Sequence, residues 1–143
     1  MSKIGKIKII AVGKIKEKAI KELIFEFEKR LKPLCSLEII ELKDSTLENE
    51  ATKFEKYISP HTILLDVMGT HYSSEQLSEK LVSLDECTFF IGSSNGFTPE
   101  LKEKVREKIS LSALTFTHEM ARLFLVEQIY RANMIVLNKP YHK

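Results

Sequence analysis

Three short apolar runs constrain this chain more than any other feature: Lys6–Val12 (KIKIIAV), Thr62–Met68 (TILLDVM) and Cys87–Ile91 (CTFFI). Each is too short for a core helix, and each becomes apolar on both faces, the pattern of strands buried inside a parallel sheet. Leu37–Leu42 (LEIIEL) reads as a further strand, and a short one around Ile109–Leu111 completes the set. Helical spacing fills the intervals. Ile20, Leu23, Ile24, Phe27 and Leu31 form a stripe that Pro33 stops, and Leu47, Ala51, Phe54 and Ile58 form another. Ser45 and Glu48 have capping-box spacing before the second stripe, and Ser73 and Gln76 have it before Leu77, Leu81 and Leu84. Thr98-Pro99-Glu100 is a helix start with Thr98 as N-cap and Pro99 in the first turn. Gly69 reads as a turn after the third strand, and a long helix follows over 118–133. The order β-α, repeated five times, predicts an α/β fold with a parallel sheet and helices on both faces. No linker or repeat divides the 143 residues, so a single domain over 1–143 is expected.

The last helix stands apart. Met120, Ala121, Leu123, Phe124, Leu125, Val126, Ile129, Tyr130 and Ala132 cover nearly its whole circumference. Such a helix must be buried on more than one side. Either it is central to the protomer, or a second copy packs on its outer face about a two-fold axis; the second reading predicts a homodimer.

Charge is uneven. Residues 1–33 carry ten Lys/Arg against four Glu, and residues 131–143 carry three basic residues and no acid, while the middle is acidic. Two basic ends suit a polyanionic partner that meets both, although solvated surface lysines explain the same counts. Lys3, Lys6, Lys14, Lys16, Lys18 and Lys21 are the candidate phosphate contacts. No segment has the apolar length to span a bilayer, and no signal-peptide pattern opens the chain. Cys35 and Cys87 lie far apart with no metal spacing, which suggests a reducing compartment; the cytoplasm is the expectation. No histidine pair has ligand spacing, so no metal is expected. Dinucleotide, P-loop and Gly-x-Ser-x-Gly motifs are absent in the right context.

Ligands of open parallel sheets bind beyond the carboxyl ends of the strands. Three such ends here are rich in glycine or small polar residues: Asp66–Gly69, Gly92–Phe97 and Leu111–Thr117. Asp66 either fixes a ligand group or anchors the turn after it. His118 suits capping or packing as well as chemistry. The closing Tyr141-His142-Lys143 offers a stacking ring, a group that exchanges protons near neutrality and a phosphate partner.

Taken together and in order, IIAVGK (Ile9–Lys14), LDVMG (Leu65–Gly69) with SSE (Ser73–Glu75), IGSSNGFT (Ile91–Thr98), SLSALTF (Ser110–Phe116), His118 with Arg122, EQIYRA (Glu127–Ala132) and YHK (Tyr141–Lys143) run almost end to end. The chain thereby resembles the SPOUT-class methyltransferases that modify a pseudouridine of bacterial large-subunit (23S) ribosomal RNA. The resemblance implies a C-terminal trefoil knot, the SPOUT or alpha-beta knot, against which S-adenosylmethionine lies in a bent form. The matching cofactor positions are Leu65, Gly92, Leu111, Ser112, Ala113, Leu114, Thr115 and Phe116. It implies methylation of N3 of a pseudouridine on the assembled ribosome, with the tail of one subunit completing the other's site. His142 is then the candidate for proton handling or base orientation, Tyr141 for stacking, and Arg122 and Arg131 for phosphate or for charge developing on the imide. Arg131 has an alternative role, pairing with a carboxylate across the dimer. Two departures from the family pattern stand at Ser93, where a second glycine is usual, and at Thr117, where a proline is. They predict a narrower cofactor loop and a looser turn into the last helix. A binding module that has lost the chemistry, an interaction protein without a small ligand and an enzyme acting on transfer RNA are the competing readings.

Overall fold

The computed structural model describes residues 3–143; Met1 and Ser2 of the expected domain lie outside the described residues. Five strands, β1 (Lys6–Val12), β2 (Ser36–Leu42), β3 (Thr62–His71), β4 (Glu86–Ile91) and β5 (Glu107–Ser110), alternate with α1 (Lys18–Leu31), α2 (Leu47–Glu55), α3 (Ser74–Val82), α4 (Pro99–Lys104) and α5 (His118–Val136). The strands form one sheet in the order β2-β1-β4-β3-β5, and every pairing is parallel.

Strand alternation divides the core between two faces. Ile9, Ile63 and Phe89 meet Ile24 and Leu31 of α1, Leu77 and Leu81 of α3, and Leu125, Val126 and Ile129 of α5. Their sequence neighbours Ile10, Leu64 and Phe90 point the other way, onto Phe54 of α2, Leu101 of α4 and Val105 at its end. Burial of each such side chain contributes about 1.5–3 kcal/mol. The helices therefore lie on both faces, α1, α3 and α5 on one and α2 and α4 on the other.

Three local expectations need correction. Thr46, not Ser45, caps α2: its Oγ1 accepts from the Asn49 N–H at 3.1 Å, while the Ser45 N–H donates to Glu50 at 3.0 Å. Gly69 does not end β3. Leu65 and Thr70 both pair with Ile109, so Asp66–Gly69 bulge out between two pairings to one partner before the strand resumes. A Cβ on Gly69 would lie 2.7 Å from the Lys108 carbonyl carbon, so the bulge needs a residue without one. Finally, α5 runs on to Val136, three residues beyond the expected end. The Ser73–Gln76 capping box and the Thr98-Pro99 start form as the sequence predicts.

Helix α5 lies between α1 and α3 on the sheet. These neighbours cover more of it than the sequence suggests. Ala121, Phe124, Gln128, Arg131 and Ile135, spaced three and four apart, remain as one half-buried stripe.

Candidate active site

At the carboxyl ends of β3, β4 and β5 the chain encloses a crevice of about 240 Å³. Leu65, Asp66 and Val67 come from β3 and its bulge, Ile91–Ser94, Gly96 and Phe97 from the segment after β4, and Leu111, Ser112, Leu114, Thr115 and Phe116 from the loop before α5. His118 and Ala121 close it from the helix. Seven of the eight expected cofactor positions thus line one cavity; Ala113 is exposed and does not.

The loop after β4 is tight. A Cβ on Gly92 would meet the Gly96 carbonyl oxygen at 2.7 Å, and Gly96 adopts φ +76°, a conformation that favours glycine. The Gly96 N–H donates to the Ser93 carbonyl at 2.9 Å. Ser93 does not fill the crevice with its hydroxyl: Oγ lies 3.4 Å from Oε1 of Glu50, a buried carboxylate on α2. The second loop is held from within by the Ser110 hydroxyl on the Ser112 carbonyl (2.8 Å) and the Leu114 N–H on Ser112 Oγ (3.0 Å). Phe116 packs edge-on against Phe124 with ring centroids 4.9 Å apart, fixing this loop to α5. The turn at Thr117 is not loose, because its hydroxyl caps α5 by accepting from the Met120 N–H at 3.1 Å.

Asp66 serves the bulge and faces the crevice together. Oδ1 accepts from the Met68 N–H at 3.0 Å, and Oδ2 lies 3.5 Å from the Lys102 ammonium. They are the charged pair of a lining whose other polar side chains are Ser93, Ser94, Ser112, Thr115 and His118.

Arg131, Tyr141 and His142 come together elsewhere, where the tail folds back on α5 and α3. Arg131 pairs with Glu127 at 3.1 Å and stands over the Tyr141 ring at 4.9 Å. The Tyr141 hydroxyl donates to Glu127 at 2.8 Å, and its ring packs edge-on against Tyr130. Burial, then the bond to Glu127, raises the Tyr141 pKa, so the phenol stays protonated near neutrality. His142 Nδ1 lies 3.1 Å from an Arg131 guanidinium nitrogen and Nε2 lies 3.3 Å from Glu75. Arginine can only donate, so Nδ1 is the acceptor and Nε2 carries the proton. The Glu75 carboxyl is held below its usual range, first by its own backbone N–H and then by His142. Neither ring nitrogen is free in this position, and no tail residue lines the crevice. A groove lined by Ile109, Leu111, Phe116, Phe124, Glu127 and Gln128 runs between the two places.

Arg122 is brought to neither. It is 3% exposed, pairs with Glu41 at 2.5 Å and donates to the Gly13 carbonyl at 2.9 Å. Its charge ties α5 to the ends of β1 and β2, which is a positioning role, and the expectation of a phosphate contact does not fit this placement. Lys3, Lys6, Lys14, Lys16, Lys18 and Lys21 are all exposed. Among the described residues no cluster of three or more potential metal ligands occurs, and no helix is long and apolar enough to cross a membrane. Sequence reasoning missed Glu50, Glu75 and Glu127 as supports. Glu127 could have been found from its i,i+4 spacing to Arg131; Glu75 stands in the SSE motif, but nothing local ties it to His142, which lies far away in sequence.

The family model described as "Predicted SPOUT methyltransferase" matches residues 6–142. A protein of Acetivibrio thermocellus named ribosomal RNA large subunit methyltransferase H is 44% identical over 158 residues, covering 96% of this chain and 99% of that one. A Prochlorococcus marinus (strain NATL1A) protein of the same name is 44% identical over 147 residues, with 100% and 99% covered. One from Natranaerobius thermophilus, again of that name, is 37% identical, with 96% and 99% covered. A Legionella pneumophila protein solved with the bound cofactor SAM aligns at a TM-score of 0.44 and 10% identity, over 92% of this chain and 66% of that one, too distant a likeness to bear on fold or ligand.

Proposed function

Because the chain belongs to the SPOUT methyltransferase family, we propose that it transfers the methyl group of S-adenosylmethionine to N3 of a pseudouridine in large-subunit ribosomal RNA. The observation that carries this reading is the convergence of Leu65, Gly92 and the 111–116 loop on one crevice. The crevice fits the cofactor in its chemistry. Ile91, Phe97 and Phe116 offer apolar surface to an adenine, the Cβ-free Gly92 admits close backbone approach, and Asp66 beside Lys102 suits the cofactor's polar groups. When bound, S-adenosylmethionine supplies an electrophilic methyl group on a sulfonium.

The chain's residues do the rest. Methylation at N3 forms an N–C bond, breaks the S–C bond and requires loss of the imide proton. His142 is the group to take that proton or to orient the base, after Nδ1 has exchanged Arg131 for the substrate. Arg131, steadied by Glu127, then offsets charge developing on the imide. Tyr141, whose phenol stays protonated, acts through its ring. Positioning of this kind supplies much of the rate.

In a single protomer the tail is apart from the crevice, so the reading includes a homodimer in which one subunit's tail reaches the other's crevice. The stripe of Ala121, Phe124, Gln128, Arg131 and Ile135 is the surface for that packing. The cytoplasm, the assembled ribosome as substrate and the family's trefoil knot belong to the same reading. The knot would thread the 92–97 and 111–117 loops, which the parallel β3–β4 and β3–β5 pairings bring to one end of the sheet.

The test is labelled cofactor added to ribosomes that lack the modification, followed by mapping of the label. Label on N3 of a large-subunit pseudouridine is expected; label on transfer RNA, or none, overturns the reading. His142→Ala should reduce transfer about a hundredfold or more with cofactor affinity by calorimetry retained, and equal loss of both counts against the assignment.

A further inference from the structure

Phe25 is 61% exposed on the outer side of α1, in a face the crevice and tail do not use. Lys18, Lys21, Phe25, Lys29 and Lys32 recur at intervals of three or four residues and therefore lie along one side of α1 and its end. All five are exposed. Lys29 holds its ammonium 5.4 Å from the Phe25 ring centroid. Neither Lys21 nor Lys32 has a carboxylate partner among the described residues, whereas Lys18 and Lys29 lean on Glu22 and Glu26 at 4.0 and 3.2 Å. The opposite flank of α1 carries Phe27, which packs on Tyr130 of α5. The stripe thus faces away from α5, toward β2, the edge strand. Phe25 forms a ridge between two grooves; one sets Lys3, Lys6, Lys29 and Lys32 against Glu28 and Asp85, the other sets Lys14, Lys18, Lys21 and Arg122 against Glu22, Glu28 and Glu41, so cations outnumber carboxylates in each.

We infer that this face is a second RNA-binding surface, which holds a single-stranded segment of the substrate with phosphates on the lysines and one unstacked base on Phe25. The inference rests on the ribosomal RNA reading above. Charge complementarity carries it: a polyanion satisfies the cations flanking Phe25 on both sides, and a base has the planar apolar face that an exposed phenyl ring needs. A second copy of the chain would set lysine against lysine here. The stripe spans about 21 Å, the rise of a 14-residue helix, which accommodates several nucleotides. A small enzyme gains by this a contact that fixes its orientation on a large substrate without occupying the crevice.

Sedimentation of the full-length protein with purified large ribosomal subunits tests it independently of methyl transfer, so its failure and a failure of the enzymatic reading are distinguishable. Phe25→Ala should weaken binding about fivefold or more. Lys21→Gln with Lys32→Gln should lower the slope of log affinity against log salt by about 1.4, two single-strand phosphate contacts. Calorimetric cofactor affinity and melting temperature stay at wild-type values in these variants. Phe25→Leu keeps apolar surface without a stacking face and should bind as weakly as Phe25→Ala. Wild-type binding by Phe25→Ala overturns the surface; wild-type binding by Phe25→Leu assigns it to a protein partner; a switch to monomer in Phe25→Ala assigns it to the subunit interface. Either of the last two overturns the RNA assignment.

Discussion

Glu119 sits in the first turn of α5 and is 8% exposed, yet it is ionised there. Burial pushes its carboxyl up, but the Glu17 and Lys16 backbone N–H groups, both donating at 3.1 Å, more than offset this and hold its pKa below the usual value. Its stabilisation is therefore complete above the unfolded carboxylate range and is lost as pH falls through the lowered folded value. Glu119→Ala should cost about 2 kcal/mol at neutral pH, measured by denaturant unfolding, and the gap to wild type should close in acid. An unchanged gap would refute the ionic account. Arg122 teaches the limits of reading single residues. The sequence places it one turn from His118, on the helix that borders the crevice, so a role in the chemistry follows naturally. What it cannot convey is that Glu41 and the Gly13 carbonyl stand within reach of its guanidinium and hold it out of the crevice. The burial of Cys87, by contrast, is plain from its apolar run, and burial pushes that thiol up to about 12, leaving it unreactive.

At the scale of elements, the strands and the capped starts of α3 and α4 were legible because pattern and local chemistry agree. The misreadings fall where other contacts override them. β3 continues past Gly69 because β5 accepts it twice, and Ser45 leaves the cap of α2 to Thr46, its own hydroxyl accepting instead from the Asn49 side-chain amide at 3.0 Å. Strand order was not legible at all, since nothing local says that β4 enters between β1 and β3. The loop after β4 belongs to this scale too. Gly92→Ala drives a methyl group into the Gly96 carbonyl, and because that atom is backbone the loop must move. Cofactor affinity by calorimetry should fall about tenfold or more, ~1.4 kcal/mol, while the melting temperature stays within a few degrees. Undiminished affinity would remove the crevice as the cofactor site.

For the whole molecule, the half-buried stripe of α5 predicts association. Light scattering at micromolar concentration should give a dimer, and Ile135→Lys, which places a charge on the stripe away from the crevice, should shift it to monomer and abolish methyl transfer while cofactor affinity persists. A monomeric wild type would sink the shared-site arrangement. The position of α5 also bears on how the protein is made. The helix that shelters Ile9 and Phe89 comes near the end of the chain, and its tie from Arg122 to Gly13 joins residues 109 positions apart. During translation that face of the sheet therefore stays only partly sheltered, by α1 and α3, until nearly all of the sequence has cleared the exit tunnel. A message truncated ahead of α5 would yield no half-working fragment, only greasy sheet surface for chaperones and proteases to clear.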